Sequence, residues 1–200
     1  MGIYDDLSQR QATRRQIPVS VKTRIGYDKP ITRDWLEVVL ATKPAAVSIH
    51  GRTLKQLYGG LANWEEISLV PKLRDSISPD TIILGNGDIH SYSEAISKIR
   101  EHKLDGVLIG RGSLGNPTIF TGEELKISKL FSILLEHAGL HQQYKGVERF
   151  VQMRKNLAWY IKGLDNAAQL RSSLVRTNNV TEVEGVLTNY LSDNNLTYEY

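Results

Sequence analysis

Two glycine-bearing turns carry the groups best suited to chemistry in this sequence. Gly85-Asn86-Gly87-Asp88 and Gly110-Arg111-Gly112 each follow a short apolar run, at 81–84 and 106–109. Glycine lets backbone N–H groups approach a ligand closely, and Arg111 adds a permanent forked cation. Such turns suit a phosphate. The plain alternative is a pair of tight turns in which glycine only relieves backbone strain. Two earlier apolar runs also end in polar handles, Lys22 with Arg24 and His50 with Arg52.

These residues need elements to position them. Alternation of Val19, Val21 and Thr23 with Pro18, Ser20 and Lys22 predicts a strand over 17–24. Thr32 is the expected N-cap of a helix over 33–41, with Trp35, Leu36, Val39 and Leu40 as its inner face. A second strand is expected over 45–50, followed by a polar loop through Tyr58-Gly59-Gly60 to Asn63 and a helix over 64–74. Ala95, Ile96 and Ile99 mark a helix between the last two strands. Strand then helix thus repeats four times with no hairpin signal, so the strands should be parallel. Residues 1–16 read as the tail of a helix. Beyond residue 120 only helices are expected, over 121–138, 146–163, 166–175 and 181–192, with loops at 139–145 and 163–166.

Four βα units fit either an open doubly wound sheet or half of a (β/α)8 barrel. Handles at the ends of several strands, and phosphate-like turns on the last two βα loops, favour the barrel. The fold class is therefore α/β: the C-terminal half of a TIM barrel over 1–120, followed by an all-α domain over 121–200.

Composition narrows the function. With no cysteine there is no disulfide, thiolate metal site or thiol catalyst. The five histidines are scattered and no G-x-S-x-G elbow occurs, so neither a metal centre nor a nucleophilic triad is expected. No apolar run reaches the ~20 residues of a membrane span, and the N-terminus lacks a signal-peptide pattern, so a cytoplasmic protein is expected. The net charge is +3, but residues 141–176 hold seven Lys/Arg against two Asp/Glu, which puts an anionic partner there. A solvated helical face would carry the same charges.

Five stretches, in order, make the sequence recognisable: PVSVKTRIGYD, SIHGRTLKQLYGGLANWEEI, ILGNGDI, GVLIGRGSLGNPTIF and MRKNLAWYIKGLDNAAQLRSSL. Together they resemble the C-terminal part of the tRNA-dihydrouridine synthases, enzymes that use FMN, with NADPH as reductant, to reduce uridine in tRNA. The resemblance implies that Lys22 contacts the flavin ring near N1 and O2 and that His50 faces the flavin. Asn86, Gly87 and Asp88 would meet the ribityl chain and phosphate, with Gly110 and Arg111 on the phosphate itself. It also implies a tRNA partner for Arg24 and Arg52 and, in the helical domain, for Arg154, Lys155, Lys162 and Arg171. Lys155 and Lys162, seven apart, would share a helix face, with Trp159 in the core beside Phe150, Val151 and Leu157. The family's catalytic cysteine belongs to an N-terminal half-barrel that precedes the matching region, so no catalytic residue is assigned in this chain. A non-catalytic tRNA-binding remnant and another FMN-dependent barrel oxidoreductase are the rival readings.

Overall fold

The structure, a computed structural model, describes residues 17–196; the helix tail expected over 1–16 lies outside them. The chain divides into two compact units. One comprises residues up to Asp88 together with Ile96–Leu108, the other Ile89–Ala95 with everything from Ile109.

The first unit holds four strands, β1 (Ser20–Arg24), β2 (Ala46–His50), β3 (Ile82–Asn86) and β4 (Gly106–Leu108). They are ordered β1-β2-β3-β4 and every neighbouring pair is parallel. Helices α1 (Thr32–Ala41), α2 (Trp64–Ile77) and α3 (Tyr92–Glu101) alternate with them. This is an α/β fold of four parallel strands alternating with helices, consistent with part of a TIM barrel.

Side chains two apart on a strand share a face. One face carries Val21, Val47, Ile49, Ile83 and Val107, packed with Leu36 and Leu40 of α1 and Ile67, Val70 and Leu73 of α2. Full burial stabilises each Leu, Ile or Val by about 1.5–3 kcal/mol. The opposite parity carries Lys22, Arg24, Ser48, His50 and Asn86, none of them fully buried. At the N-terminal end of the sheet Asp105 accepts from the Ile83 N–H at 2.7 Å and from Arg74 at 2.9 Å, tying β3 and β4 to α2. That end is devoted to stability.

Two local expectations need correcting. Thr32 begins α1 but does not cap it. Ile31 occupies the N-cap position, and Thr32 is buried, with its hydroxyl directed to the Ile25 carbonyl. Trp35 is 41% exposed and is not part of the core; its Nε1–H donates to Thr23 Oγ1 at 2.8 Å. A polar indole nitrogen that finds a strand hydroxyl leaves the ring half in water.

In the second unit the described residues from Ile109 are helical or irregular. Helices are α4 (Ile127–Lys145), α5 (Arg154–Tyr160), α6 (Ala167–Leu174) and α7 (Val180–Asp193), with a 3-10 segment at Val147–Met153. Phe131, Leu134, Phe150, Met153, Leu157 and Leu187 form the centre of its core. The loop expected over 139–145 is helix. Gly139 costs a helix only about 1 kcal/mol, while Phe131, Leu134 and Ala138 are buried along one side. The stop is Gly146, whose φ of 82° no ordinary residue adopts without strain. Trp159 is 37% exposed; Tyr160 is the buried aromatic, and Val151 is also exposed. Lys162 lies past the end of α5, so it does not share a helix with Lys155.

Candidate functional site

The C-terminal ends of the strands set the site. The register aligns Arg24, His50, Asn86 and Leu108 in one row, and Lys22 stands one step back on the same face. Lys22 Nζ lies 3.4 Å from Asn86 Oδ1, and the Asn86 amide donates to the Leu108 carbonyl at 2.8 Å. The carboxamide is thereby oriented, with its oxygen toward the lysine. Arg24 donates to the Thr53 carbonyl at 2.8 Å and stays half-buried. The sheet thus brings together Lys22, Arg24, His50, Asn86, Gly87 and Asp88.

Arg52 corrects the sequence reading. It was expected to meet RNA, but it is 2% exposed. Its Nη2 donates to Asp88 Oδ2 at 2.6 Å and to the Gly60 carbonyl at 2.7 Å. A guanidinium so enclosed has no surface to offer a phosphate. Asp88 also accepts from the Ala62 N–H at 2.8 Å, so the ion pair staples the loop after β2 to the turn after β3. Asp88 is thereby committed in part to structure. No local signal in the sequence links two residues 36 apart.

Gly87 is required at this junction. Its φ is +142°, and a Cβ there would fall 2.4 Å from that of Ala62 and 3.5 Å from the His50 ring. The loop's far part is apolar and open to solvent, with Tyr58 70% and Leu61 82% exposed. Beside β1 a cleft of about 540 Å³ is lined by Lys22, Arg24, Tyr27, Trp35 and Leu54, among others.

His50 is half-buried, and burial is the main cause that lowers its pKa to about 4. Arg24, Lys22 and Arg52 lower it further, and Asp88 alone opposes them. The ring is neutral at neutral pH. His102 is different: it is buried, and Trp64 stacks on it at 5.3 Å. That ring is packing.

In the second unit Gly110 and Arg111 are exposed, and Arg111 opens a 3-10 turn, Arg111–Ser113. A Cβ at Gly110 would meet nothing, so close packing does not explain that glycine. Gly112 has no such room, because a Cβ there would lie 2.3 Å from the Ile89 carbonyl oxygen. Lys155, Lys162 and Arg171 are exposed. Arg154 is half-buried and donates to the Thr177 carbonyl at 3.0 Å and to Asn178 Oδ1 at 2.8 Å.

The histidines are not all scattered as expected: His137 and His141 stand four apart on α4, a spacing that suits a metal. Their partners are instead Tyr160 and the Arg149 carbonyl. Among the described residues no group of three or more His, Asp or Glu could hold an ion, and no helix is long and apolar enough to cross a membrane.

The polar face suits a planar ligand rich in acceptor atoms or carrying negative charge. Lys22 and Arg24 are cationic, and His50 is uncharged with its Nδ1 unclaimed by any described residue. A flavin ring has that chemistry.

The chain is similar to known proteins over most of its length. The family model described as dihydrouridine synthase (Dus) matches residues 7–195. A probable tRNA-dihydrouridine synthase of Staphylococcus epidermidis is 36% identical over 176 residues, which is 86% of this chain and 54% of that protein. One from Staphylococcus aureus is 36% identical over 88% of this chain and 56% of its own length. Probable tRNA-dihydrouridine synthase 2 of Bacillus subtilis is 35% identical over 87% and 55%. The chain spans about half the length of these curated relatives. With the family model matching from residue 7 to 195, over a sheet of four parallel strands, the chain belongs to the dihydrouridine synthase family.

Proposed function

We propose that this chain is the flavin- and tRNA-binding portion of a tRNA-dihydrouridine synthase, a cytoplasmic enzyme that converts uridine in tRNA to 5,6-dihydrouridine with NADPH as reductant. The observation that carries the reading is the polar face of the sheet, where Lys22, Arg24 and Asn86 surround a neutral His50. Residues 1–120 are the partial barrel and 121–200 the tRNA-binding helical domain.

FMN, when bound, supplies the hydride that uridine receives at C6. The chain's own residues bind and orient. Lys22 stabilises negative charge on the ring by proximity of its ammonium group. Asn86 holds Lys22 in place through its oriented carboxamide. His50 faces the ring. Gly87 and Asp88 shape the turn beside the ribityl chain, and Gly110 and Arg111 hold the phosphate. Arg24, Arg154, Lys155, Lys162 and Arg171 meet tRNA phosphates.

The proton for uridine C5 comes from a cysteine in the family. This chain has none, so alone it does not complete the reduction, and a preceding half-barrel would supply that residue. The absence of cysteine equally favours a second reading, a tRNA-binding remnant without catalysis.

Flavin titration separates the two. The wild-type chain should quench FMN fluorescence on binding, and Lys22→Ala should weaken that binding about tenfold, the value of one charged contact of about 1.4 kcal/mol. A chain that shifts tRNA in a salt-dependent way yet never binds FMN is the remnant. A chain that binds neither refutes both readings.

A further inference from the structure

We propose that Arg52 is a positioning residue that fixes the tautomer of His50, so that the ring meets its ligand as a neutral donor through Nδ1–H. The flavin reading above enters only as the identity of that ligand.

Arginine has five N–H donors and no acceptor. Its Nη1 lies 3.4 Å from Nε2 of His50. Nε2 must then accept, which leaves the ring proton on Nδ1. The guanidinium cannot swing away. It is 2% exposed and its other terminal nitrogen is held by Asp88 at 2.6 Å and by the Gly60 carbonyl at 2.7 Å. Asp88 is itself anchored on the Ala62 N–H. Gly87 lets Ala62 close this corner, since a Cβ there would fall 2.4 Å from that of Ala62.

No described residue accepts from Nδ1, and the ring is half-exposed on the polar face. That nitrogen is the one a ligand meets. The charged groups facing the ring are Lys22 and Arg24 on β1, Arg52 after β2 and Asp88 after β3. Three cations against one carboxylate, with burial, oppose a second proton, so His50 is a donor and not an acid at neutral pH. The ligand atom it recognises is an acceptor, a carbonyl oxygen or a ring nitrogen bearing negative charge. Lys22 and Arg24 favour the same class.

The test is long-range proton–nitrogen correlation on the full 15N-labelled chain at pH 7, first without flavin. Wild type should show Nδ1 protonated and Nε2 bare, and Asp88→Asn, which keeps Arg52, should show the same. Arg52→Met should move the proton to Nε2 in a large fraction of molecules. A wild-type ring protonated on Nε2, or divided evenly between tautomers, overturns the proposal and needs no variant to fold. A folded Arg52→Met that keeps the wild-type pattern overturns it as well. FMN is then added. Binding should shift the Nδ1 resonance, and bound flavin that leaves it unmoved overturns the ligand-facing role. A ring with Nδ1–H in a chain that binds no FMN supports the tautomer assignment and refutes the flavin reading instead.

Discussion

Arg52 and Arg154 lie in different units: Arg52 bonds one carbonyl oxygen and the side chains of Asp88 and His50, Arg154 two carbonyl oxygens and the side chain of Asn178. Arg52 is 2% exposed and pairs with a carboxylate, whereas Arg154 is half-buried and, among the described residues, bonds neutral groups, the carbonyls and amide of residues 176–178. The first therefore holds a charge pair in a low-dielectric corner and acts on His50 beside it. The second closes the turn between α6 and α7. Burial and an ionised partner, more than the number of bonds, turn a structural arginine into one that tunes its surroundings.

Removing each guanidinium separates the two most sharply. Arg52→Met strands Asp88 in a corner where it has lost its cation, and should cost about 3–5 kcal/mol. Arg154→Met loses hydrogen bonds that water partly replaces and should cost about 1–2 kcal/mol. Urea midpoints at pH 7 measure both, and equal losses would show that burial is not what separates them.

Glycines repeat the contrast between units. Gly87→Ala meets the Ala62 Cβ at a positive φ and should destabilise by about 1–3 kcal/mol. Gly139→Ala, in mid-helix with open space around it, should stabilise by about 0.5–1 kcal/mol. Thermal unfolding of the two variants should therefore move in opposite directions.

Acid is a gentler probe. The folded His50 titrates at about 4 against 6.5 for a free ring, so between those values the unfolded chain binds more protons. Stability linked to this group is complete above pH 6.5, falls as pH drops toward 4 and levels off below that. The half-exposed ring limits the loss to about 1 kcal/mol after screening. His137 in the helical unit is shifted the same way, by burial first and then by His141. A His50 resonance that titrates near 6.5 would remove the distinction claimed for its surroundings.

The smallest effects belong to the exposed cations. Lys155→Ala, Lys162→Ala and Arg171→Ala should leave folding unchanged within about 0.5 kcal/mol. Each should lower the slope of log affinity for tRNA against log salt by about 1. A variant that keeps the wild-type slope has no phosphate contact at that position.

Much of the α/β unit is legible in the sequence because its signals are local. Alternation in 17–24, apolar runs before glycine turns and the amphipathic stretch around Ala95 identify four βα units without reference to the rest of the chain. The helical unit is less legible. Gly139 reads as a break, yet the apolar positions at 131, 134 and 138 carry the helix through it, because tertiary burial outweighs a propensity cost of about 1 kcal/mol. Trp159 and Tyr160 are adjacent, and a one-residue difference in helical phase decides which is buried. Side-chain size alone favours the wrong one.

The parallel strands and the residues at their ends follow from local patterns in the amino-acid sequence. Parity also places Lys22 and Arg24 on one face, as it does Asn86 and Leu84. Period-two geometry is a property of the backbone and needs no partner. Long-range packing alone turns Arg52 inward to Asp88, keeps Gly87 bare to admit Ala62 and brings a guanidinium to His50. Those outcomes depend on which loops meet at the end of the sheet, and on how much water is left when they do.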